Sequence, residues 1–333
     1  MADKVGTAAP IAAAGTPAPD QVPVPVNPEP PKPTEPAKPE APISELFTLD
    51  RAQAKDQQIQ DIINRQVAFV VQKTQLAARY NVLVLYDDGS VDRSDADRIY
   101  EALAKADADK PILLVLRSPG GDIAAAYFIG KLCREYTKTR FEIAVPREAK
   151  SAATLICCAA DTIHMGSLSE LGPIDPQFGG MPALAVKHSV EHLAQLVTQY
   201  PGAREMLSDY LSKSLAIEVL GHYERAAGSA VQYAERLLAA RVGVKSPPER
   251  NAEIARRLVY EYKDHGFAID SREAATIFGE DVIRTNSEEY RGANDIYEAL
   301  DILKFLLERM FRREFAFTGD HKSGCWLYAK KRK

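Results

Sequence analysis

Short apolar runs alternate with amphipathic stretches of helical length between residues 80 and 165. Two of these runs, 82–86 and 112–116, are continuous over five residues, as expected of buried strands, and the segments 141–145 and 162–165 are predicted as a third and a fourth strand. The amphipathic stretches predict helices over 94–105, with Ser94 as N-cap, and over 123–138 and 152–160. Strands that alternate with helices predict βα units and a largely parallel sheet.

The flanking sequence has a helical pattern. Apolar positions recur at helical spacing over 49–74, which predicts one helix ahead of the first strand. Beyond Met181 the pattern is almost entirely helical, with helices predicted over 184–199, 203–227, 229–242, 249–264 and 294–312. The remainder, 313–333, is predicted to be a basic tail that ends in Lys330–Lys333.

The first 45 residues have a different composition. Of the 21 prolines in the chain, 12 fall between Pro10 and Pro42, in a stretch with almost no large apolar side chains. Such a segment cannot bury enough surface to offset its ordering entropy. We therefore expect 1–45 to be a disordered, extended tether, followed by a folded domain over 46–245 and a helical extension over 246–312.

Composition narrows the functional classes. The 333 residues are 46% hydrophobic and carry a net charge of −4, which does not fit a general nucleic-acid binder. No long uninterrupted apolar window predicts a membrane span, and the start lacks the pattern of a secretory signal. The 4 cysteines form neither a disulfide framework nor a metal-binding spacing. A reducing, cytoplasmic location is therefore expected.

Two strand–helix junctions carry candidate chemistry. At the first, Ser118-Pro119-Gly120-Gly121-Asp122, paired glycines allow close backbone approach to a ligand, and N–H groups there favour an oxyanion; a simple tight turn is the alternative, with Asp122 capping the helix. At the second, Ser151 precedes a helix of small residues. Ser151 is interpreted either as an N-cap or as a nucleophile whose oxyanion is bound in part by the Ala152 N–H.

Together the two junctions resemble the Clp protease/crotonase superfamily. More narrowly, Ser118–Asp122, Lys150–Thr154 and Leu171–Gln177 resemble the serine dehydrogenase proteinase family, which is related to signal peptide peptidase A. The similarity covers about 80–200, and the stretch 264–269 together with 273–275 extends it. The resemblance implies an α/β fold in which ββα units form a spiral, with a helical C-terminal section, and it implies a homo-oligomer.

The same resemblance assigns roles to residues. Ser151 becomes the nucleophile, and Gly120, Gly121 and Ala152 supply the oxyanion hole. The Clp branch places a histidine base about 25 residues after its serine, where this chain has Pro176. The signal-peptide-peptidase branch uses a lysine further on, which makes Lys187 the candidate base.

Lysine needs a special environment to act as a base. Its ordinary pKa is about 10.4, and desolvation among apolar groups lowers that value. Leu184, Val186 and Val190 give Lys187 such neighbours in the sequence. Lys150 is the rival lysine, but its adjacency to Ser151 along the chain points its side chain elsewhere.

A second motif indicates different chemistry. The segment His188-Ser189-Val190-Glu191-His192 matches H-x-x-E-H, which on a helix binds zinc through two histidines, with Glu253 or Glu261 as a third ligand. The alternative is a polar helix face. His265 is interpreted as a helix C-terminal residue.

The sequence as a whole predicts a serine endopeptidase with a Ser151–Lys187 dyad, a peptide or protein substrate and no cofactor. Three alternatives stay open. One is a non-catalytic scaffold of the same fold that binds peptides or partner proteins, the second is a crotonase-like acyl-CoA enzyme, and the third is the zinc peptidase.

Overall fold

The computed structural model describes residues 41–329, except 52, 179–180, 215–216 and 245. At 178, 181–187, 214, 217–220, 223 and 329 it describes the backbone without the side chain. Most of the predicted tether, 1–40, lies outside the described residues. The chain is folded from Ala41 onward, ahead of the predicted boundary at 45, because a 3-10 helix over Pro42–Phe47 buries Leu46 completely.

The strands include all four that the apolar runs predicted. They are β1 (Asn81–Tyr86), β2 (Ile112–Arg117), β3 (Phe141–Val145), β4 (Glu148–Ala149), β5 (Thr162–Met165), β6 (Glu170–Leu171), β7 (Gln177–Phe178), β8 (Met181–Pro182), β9 (Ile283–Thr285), β10 (Arg313–Asp320) and β11 (Cys325–Ala329). The central sheet has the order β11-β10-β1-β2-β3-β5-β9. The strands from β1 to β9 in this order are parallel, and β10 is antiparallel to β1 and β11.

The helices cover both faces of the sheet. They are α1 (Asp56–Lys73), α2 (Leu76–Arg79), α3 (Arg93–Leu103), α4 (Ile123–Glu135), α5 (Ala152–Cys157), α6 (Ala183–Gln199), α7 (Arg204–Ser214), α8 (Ile217–Ala239), α9 (Pro248–Arg256), α10 (Ser271–Phe278) and α11 (Glu288–Phe311). Alternate residues of β1 point into two cores, since Leu83 and Leu85 pack against α3 and α4 while Val82 and Val84 pack against α1 and α11.

A second, shorter ladder runs along the carboxyl ends of the parallel strands. Ser118, just after β2, bridges to Ala149 of β4, and Ala149 in turn pairs with Leu171 of β6. Leu171 then bridges to Ile269. The strands β2, β3 and β5 are thus each followed by a short segment that turns away from the sheet, as in β3–β4–α5, and this repetition is the ββα arrangement expected of the Clp/crotonase-like α/β fold.

The C-terminal part differs from its predicted organisation. Residues 313–333 were expected to be a basic tail, but β10 and β11 form a hairpin at the edge of the sheet, with Phe315 and Phe317 buried beside β1. The extension predicted over 246–312 also contributes a strand, because β9 pairs with β5. Five consecutive residues of β10, from Phe315 to Gly319, are buried, so this strand completes the sheet instead of trailing from it.

Several helix boundaries also differ. The helix predicted over 49–74 begins only at Asp56, and α8 continues through the predicted break at 228. The N-cap of α3 is Asp92, which accepts a hydrogen bond from the Ser94 N–H at 2.7 Å, so the prediction of Ser94 is wrong. The predicted cap of α4 is confirmed, since Asp122 accepts from the Ala125 N–H at 2.6 Å.

Candidate active site

Ser151 stands between β4 and α5 in a strained backbone conformation. Its φ of 51° and ψ of −117° lie where non-glycine residues cost about 1–3 kcal/mol. Ser151 occupies the N-cap position of α5, as the first interpretation expected, but its side chain makes no capping hydrogen bond to the helix. The bend instead presents a half-buried hydroxyl at the start of the helix.

The glycine pair lies directly against Ser151. A Cβ atom placed on Gly120 would lie 2.8 Å from Ser151 Cβ and 2.8 Å from the Lys150 carbonyl oxygen. A Cβ atom on Gly121 would lie 2.4 Å from the backbone of Val91. Gly120 and Gly121 have φ values of 113° and 148°. Both the positive φ values and the close contacts therefore require glycine at these two positions. The two strand–helix junctions predicted from the sequence are in contact with each other.

The three predicted oxyanion donors differ in their present partners. The Gly120 N–H donates to Ser118 Oγ at 3.1 Å. Among the described residues, no protein acceptor takes the N–H of Gly121 or of Ala152. An oxyanion needs donors that are not already engaged. The hydrogen-bond pattern therefore favours Gly121 and Ala152, with Gly120 holding the bend in contact with Ser151.

A cavity of about 360 Å³ opens over this junction. Its walls are mostly uncharged and are formed by Gly89, Ser90, Pro119, Gly120, Gly121, Ile123, Ser151, Ala152, Ile174, Pro176, Gln177 and His265. The volume suits a few side chains of a bound peptide. His265 is the ionisable side chain that shares this cavity with the Ser151 hydroxyl.

His265 reaches the cavity on a tight turn that follows the π-helical segment Arg257–Glu261. The turn closes with a hydrogen bond from the Phe267 N–H to the Asp264 carbonyl at 3.1 Å. His265 Nδ1 lies 3.8 Å from Oδ2 of the buried Asp175, and this buried nitrogen has no hydrogen-bond partner among the described residues. A carboxylate beside Nδ1 leaves Nε2, on the other edge of the ring, for proton transfer.

The sequence did not predict this role for His265. It was expected to end a helix, but it lies in a turn, because the helical pattern over 249–264 ends in the π-helical segment before it. Asp175 falls inside the Leu171–Gln177 motif, and His265 falls inside the 264–269 segment that extends the resemblance. Both positions were thus marked in the sequence, but nothing local indicated that they meet.

Lys187, the predicted base, lies on α6, but its side chain lies outside the described residues, so its role stays a prediction. His188 and His192 are exposed on the same helix. Among the described residues, no group of three potential metal-ligating side chains is placed to hold an ion. The structure thus offers the H-x-x-E-H motif no third ligand within its described part.

Comparison with known proteins identifies the part of the chain that carries this site. Residues 46–198 match the family model described as ClpP-like SDH-type serine proteinase. This segment is similar to that family. It contains β1 to β7, the glycine pair and Ser151, and its ClpP-like character agrees with the ββα arrangement of the sheet.

Two curated relatives are themselves uncharacterized. The protein MJ0137 of Methanocaldococcus jannaschii is 42% identical over 98 residues, which cover 29% of this chain and 34% of the relative. MJ1495 of the same organism is 35% identical over 92 residues, covering 28% of this chain and 31% of that protein. The chain thus spans about a third of the length of the curated relatives it matches.

Solved structures give weaker similarity. The membrane-bound stomatin-specific protease 1510-N, in a form with one alanine substitution, is 17% identical, covers 67% of this chain and 84% of its own, and has a TM-score of 0.40. A point mutant of ClpP1 from Listeria monocytogenes is 17% identical, covers 66% of this chain and 99% of its own, and has a TM-score of 0.37. The fold assignment rests on the sheet topology and the family match.

Proposed function

We propose that this protein is a serine proteinase that hydrolyses peptide bonds through an acyl-enzyme on Ser151, with His265 as the general base and Asp175 as the residue that orients it. The observation that carries the proposal is the shared cavity. The cavity brings together a serine hydroxyl that makes no capping hydrogen bond, two backbone N–H groups without a protein acceptor among the described residues, and an imidazole. These are the groups that acyl transfer requires.

The chemistry proceeds in two halves. Ser151 Oγ attacks the carbonyl carbon of the scissile bond while His265 Nε2 takes the hydroxyl proton. The negative charge that develops on the carbonyl oxygen is stabilised by the N–H groups of Gly121 and Ala152. His265 then gives its proton to the leaving amine, and the C–N bond breaks. Water attacks the resulting ester in the same way and releases the acid product.

Asp175 supports both halves. A carboxylate near Nδ1 favours the tautomer whose proton is on Nδ1, which leaves the Nε2 lone pair free to act as the base. It also stabilises the imidazolium that forms after proton transfer. The 3.8 Å between Nδ1 and Oδ2 is longer than a hydrogen bond. Contacts of this kind commonly tighten when substrate binds.

The Ser151–Lys187 dyad is the competing assignment. It rests on the resemblance to the signal-peptide-peptidase branch, whereas His265 is supported by its place in the cavity. The variants His265→Gln and Lys187→Met separate the two. If His265 is the base, H265Q loses about 10²–10⁴-fold in kcat while K187M retains the parental value. The reverse pattern would return the base to Lys187.

A fluorophosphonate probe tests the nucleophile. The parent protein should be labelled covalently, and Ser151→Ala should abolish that labelling. Ser90 lines the same cavity and is a matched control, so Ser90→Ala should still be labelled. Equal labelling of S151A and parent would refute the assignment, and failure of the parent to react or to hydrolyse any peptide would favour the scaffold alternative.

We further propose that the protein works as a cytoplasmic homo-oligomer. In the described part of the chain no helix has the length and apolar character needed to cross a bilayer. Cys133, Cys157, Cys158 and Cys325 are buried free thiols, which suits a reducing compartment. On α7, Met206 and Tyr210 are 67% and 60% exposed. Light scattering should therefore show a multimer, and M206E with Y210E should shift it toward the monomer.

A further inference from the structure

The side chain of Lys150, next to the nucleophile, connects segments that are far apart in the sequence. Lys150 Nζ lies 3.0 Å from Glu170 Oε1 and donates to the Phe267 carbonyl oxygen at 3.2 Å. The side chain is only 12% exposed. The two oxygen partners hold the end of this side chain in place.

The partners of Lys150 belong to the walls of the site. Phe267 closes the turn that begins at Asp264 and carries His265. Glu170 lies on β6, which pairs with β4 immediately before Lys150. The backbone of Lys150 is fixed as well, because its N–H donates to the Ser118 carbonyl at 3.0 Å. One residue therefore joins the Ser151 bend to the glycine bend and to the His265 turn.

The stem of Lys150 occupies a fitted slot. A Cβ atom on Gly172 would lie 2.6 Å from Lys150 Cδ, so only glycine allows the stem to pass there. The Gly172 N–H is itself held by the Ala149 carbonyl at 3.2 Å and by Thr154 Oγ1 at 3.1 Å. The path of the stem is thus limited by the fixed backbone at Gly172, and this backbone leads from β6 to Asp175.

We infer that Lys150 is a positioning residue, which holds the His265 turn against the Ser151 bend so that the imidazole and the hydroxyl keep their relative geometry. The inference rests on the proposed function of Ser151 and His265. The inference gives Lys150 no role in proton transfer, because its Nζ is already engaged with Glu170 Oε1 and the Phe267 carbonyl oxygen. The Phe267 carbonyl belongs to the backbone and is not removed by substituting the residue. The hydrogen bond is therefore tested by replacing Lys150.

Three variants and one control test the inference. Lys150→Ala should lower kcat for a peptide substrate by about 10–100-fold with little change in KM, since misplacing a catalytic group by about 1 Å has effects of this size. Lys150→Arg should restore most of the rate, because a guanidinium can donate to both oxygens yet cannot accept a proton at neutral pH. Glu170→Gln should have a smaller effect than K150A, since the Phe267 contact remains. Lys138→Ala removes an exposed lysine that pairs with Asp109 far from the cavity, and it should match the parent.

The outcomes distinguish failure of the positioning role of Lys150 from failure of the proposed function. Parental kcat in K150A overturns the positioning role. A K150R variant as inactive as K150A would show that a second charged donor cannot replace the lysine, and it also overturns the positioning role. Fluorophosphonate labelling that survives in S151A refutes the proposed function instead, whatever Lys150 does. Thermal unfolding of each variant accompanies the kinetics, and if K150A fails to fold, K150R and E170Q still decide the matter through their rates.

Discussion

A single methyl group at position 120 is expected to disable the site. In Gly120→Ala the new Cβ would lie 2.8 Å from Ser151 Cβ and 2.8 Å from the Lys150 carbonyl oxygen, and 3.2 Å from the Ala152 nitrogen. Ordinary contact begins at about 3.4 Å, so the bend and the nucleophile must separate by about 0.6 Å. The φ of 113° adds strain that alanine does not tolerate.

Separating the glycine bend from Ser151 should lower kcat. It moves Ser151 Oγ and the Ala152 N–H away from Gly121, and the loss of one oxyanion donor costs about 10²–10³-fold in kcat. We expect kcat of G120A to fall by about 100-fold and its stability to fall by about 1–3 kcal/mol, the ordinary cost of a strained backbone position. Steady-state hydrolysis of a reporter peptide and denaturant unfolding measure the two quantities.

Gly228→Ala supplies the matched control. Gly228 lies within α8 and has nothing within 4 Å of its Cβ position. Alanine there should leave kcat unchanged and raise stability by about 0.5–1 kcal/mol, the difference in helix propensity between the two residues. A G120A variant that keeps the parental kcat would refute the argument that the glycine bend and Ser151 work as one unit.

Two further predictions concern stability. Burial raises the pKa of Asp88, but hydrogen bonds and charges from Lys304 and Arg117 outweigh burial and hold that pKa below its ordinary value. Asp88 therefore contributes stability above about pH 4, and this contribution is lost as the pH falls through the folded-state pKa. Denaturant unfolding should show that D88N is less stable than the parent at pH 7 and that the two stabilities converge toward pH 3, whereas a difference that stays constant with pH would contradict this. Phe317 on β10 is fully buried, so Phe317→Ala should lower the free energy of unfolding by about 3–5 kcal/mol. The control is F305A, on the exposed face of α11, and a loss below about 1 kcal/mol in F317A would show that the hairpin is not part of the core.

The elements that sequence could predict are those with a strong local pattern. The strands β3 and β5 have the predicted bounds, and β1 and β2 each differ by one residue at one end. The continuous apolar runs of β1 and β2 need burial on both faces, which makes their pattern strong. The Gly120–Gly121 bend and Ser151 were found for a similar reason, since each is a local feature at a strand–helix junction.

The features that sequence missed depend on distant partners. β9 has three residues and becomes a strand only because β5 offers it an edge. The basic residues around β10 led to the prediction of a tail. The phenylalanines of β10 are buried only because this strand pairs with β1. His265 lies 114 residues after Ser151 in the chain, and no local spacing places a turn of that kind over a given serine. Lys150 was dismissed from its position in the chain alone, although its side chain joins three segments of the site.

The identity of the covalently modified residue tests the central claim most directly. Intact-mass measurement of the fluorophosphonate-treated protein, followed by tandem mass spectrometry of its proteolytic peptides, locates the adduct. The account predicts one adduct per chain, on the peptide that contains Ser151, formed more slowly in H265Q. An adduct on Ser90 or elsewhere, with Ser151 unmodified, would contradict it.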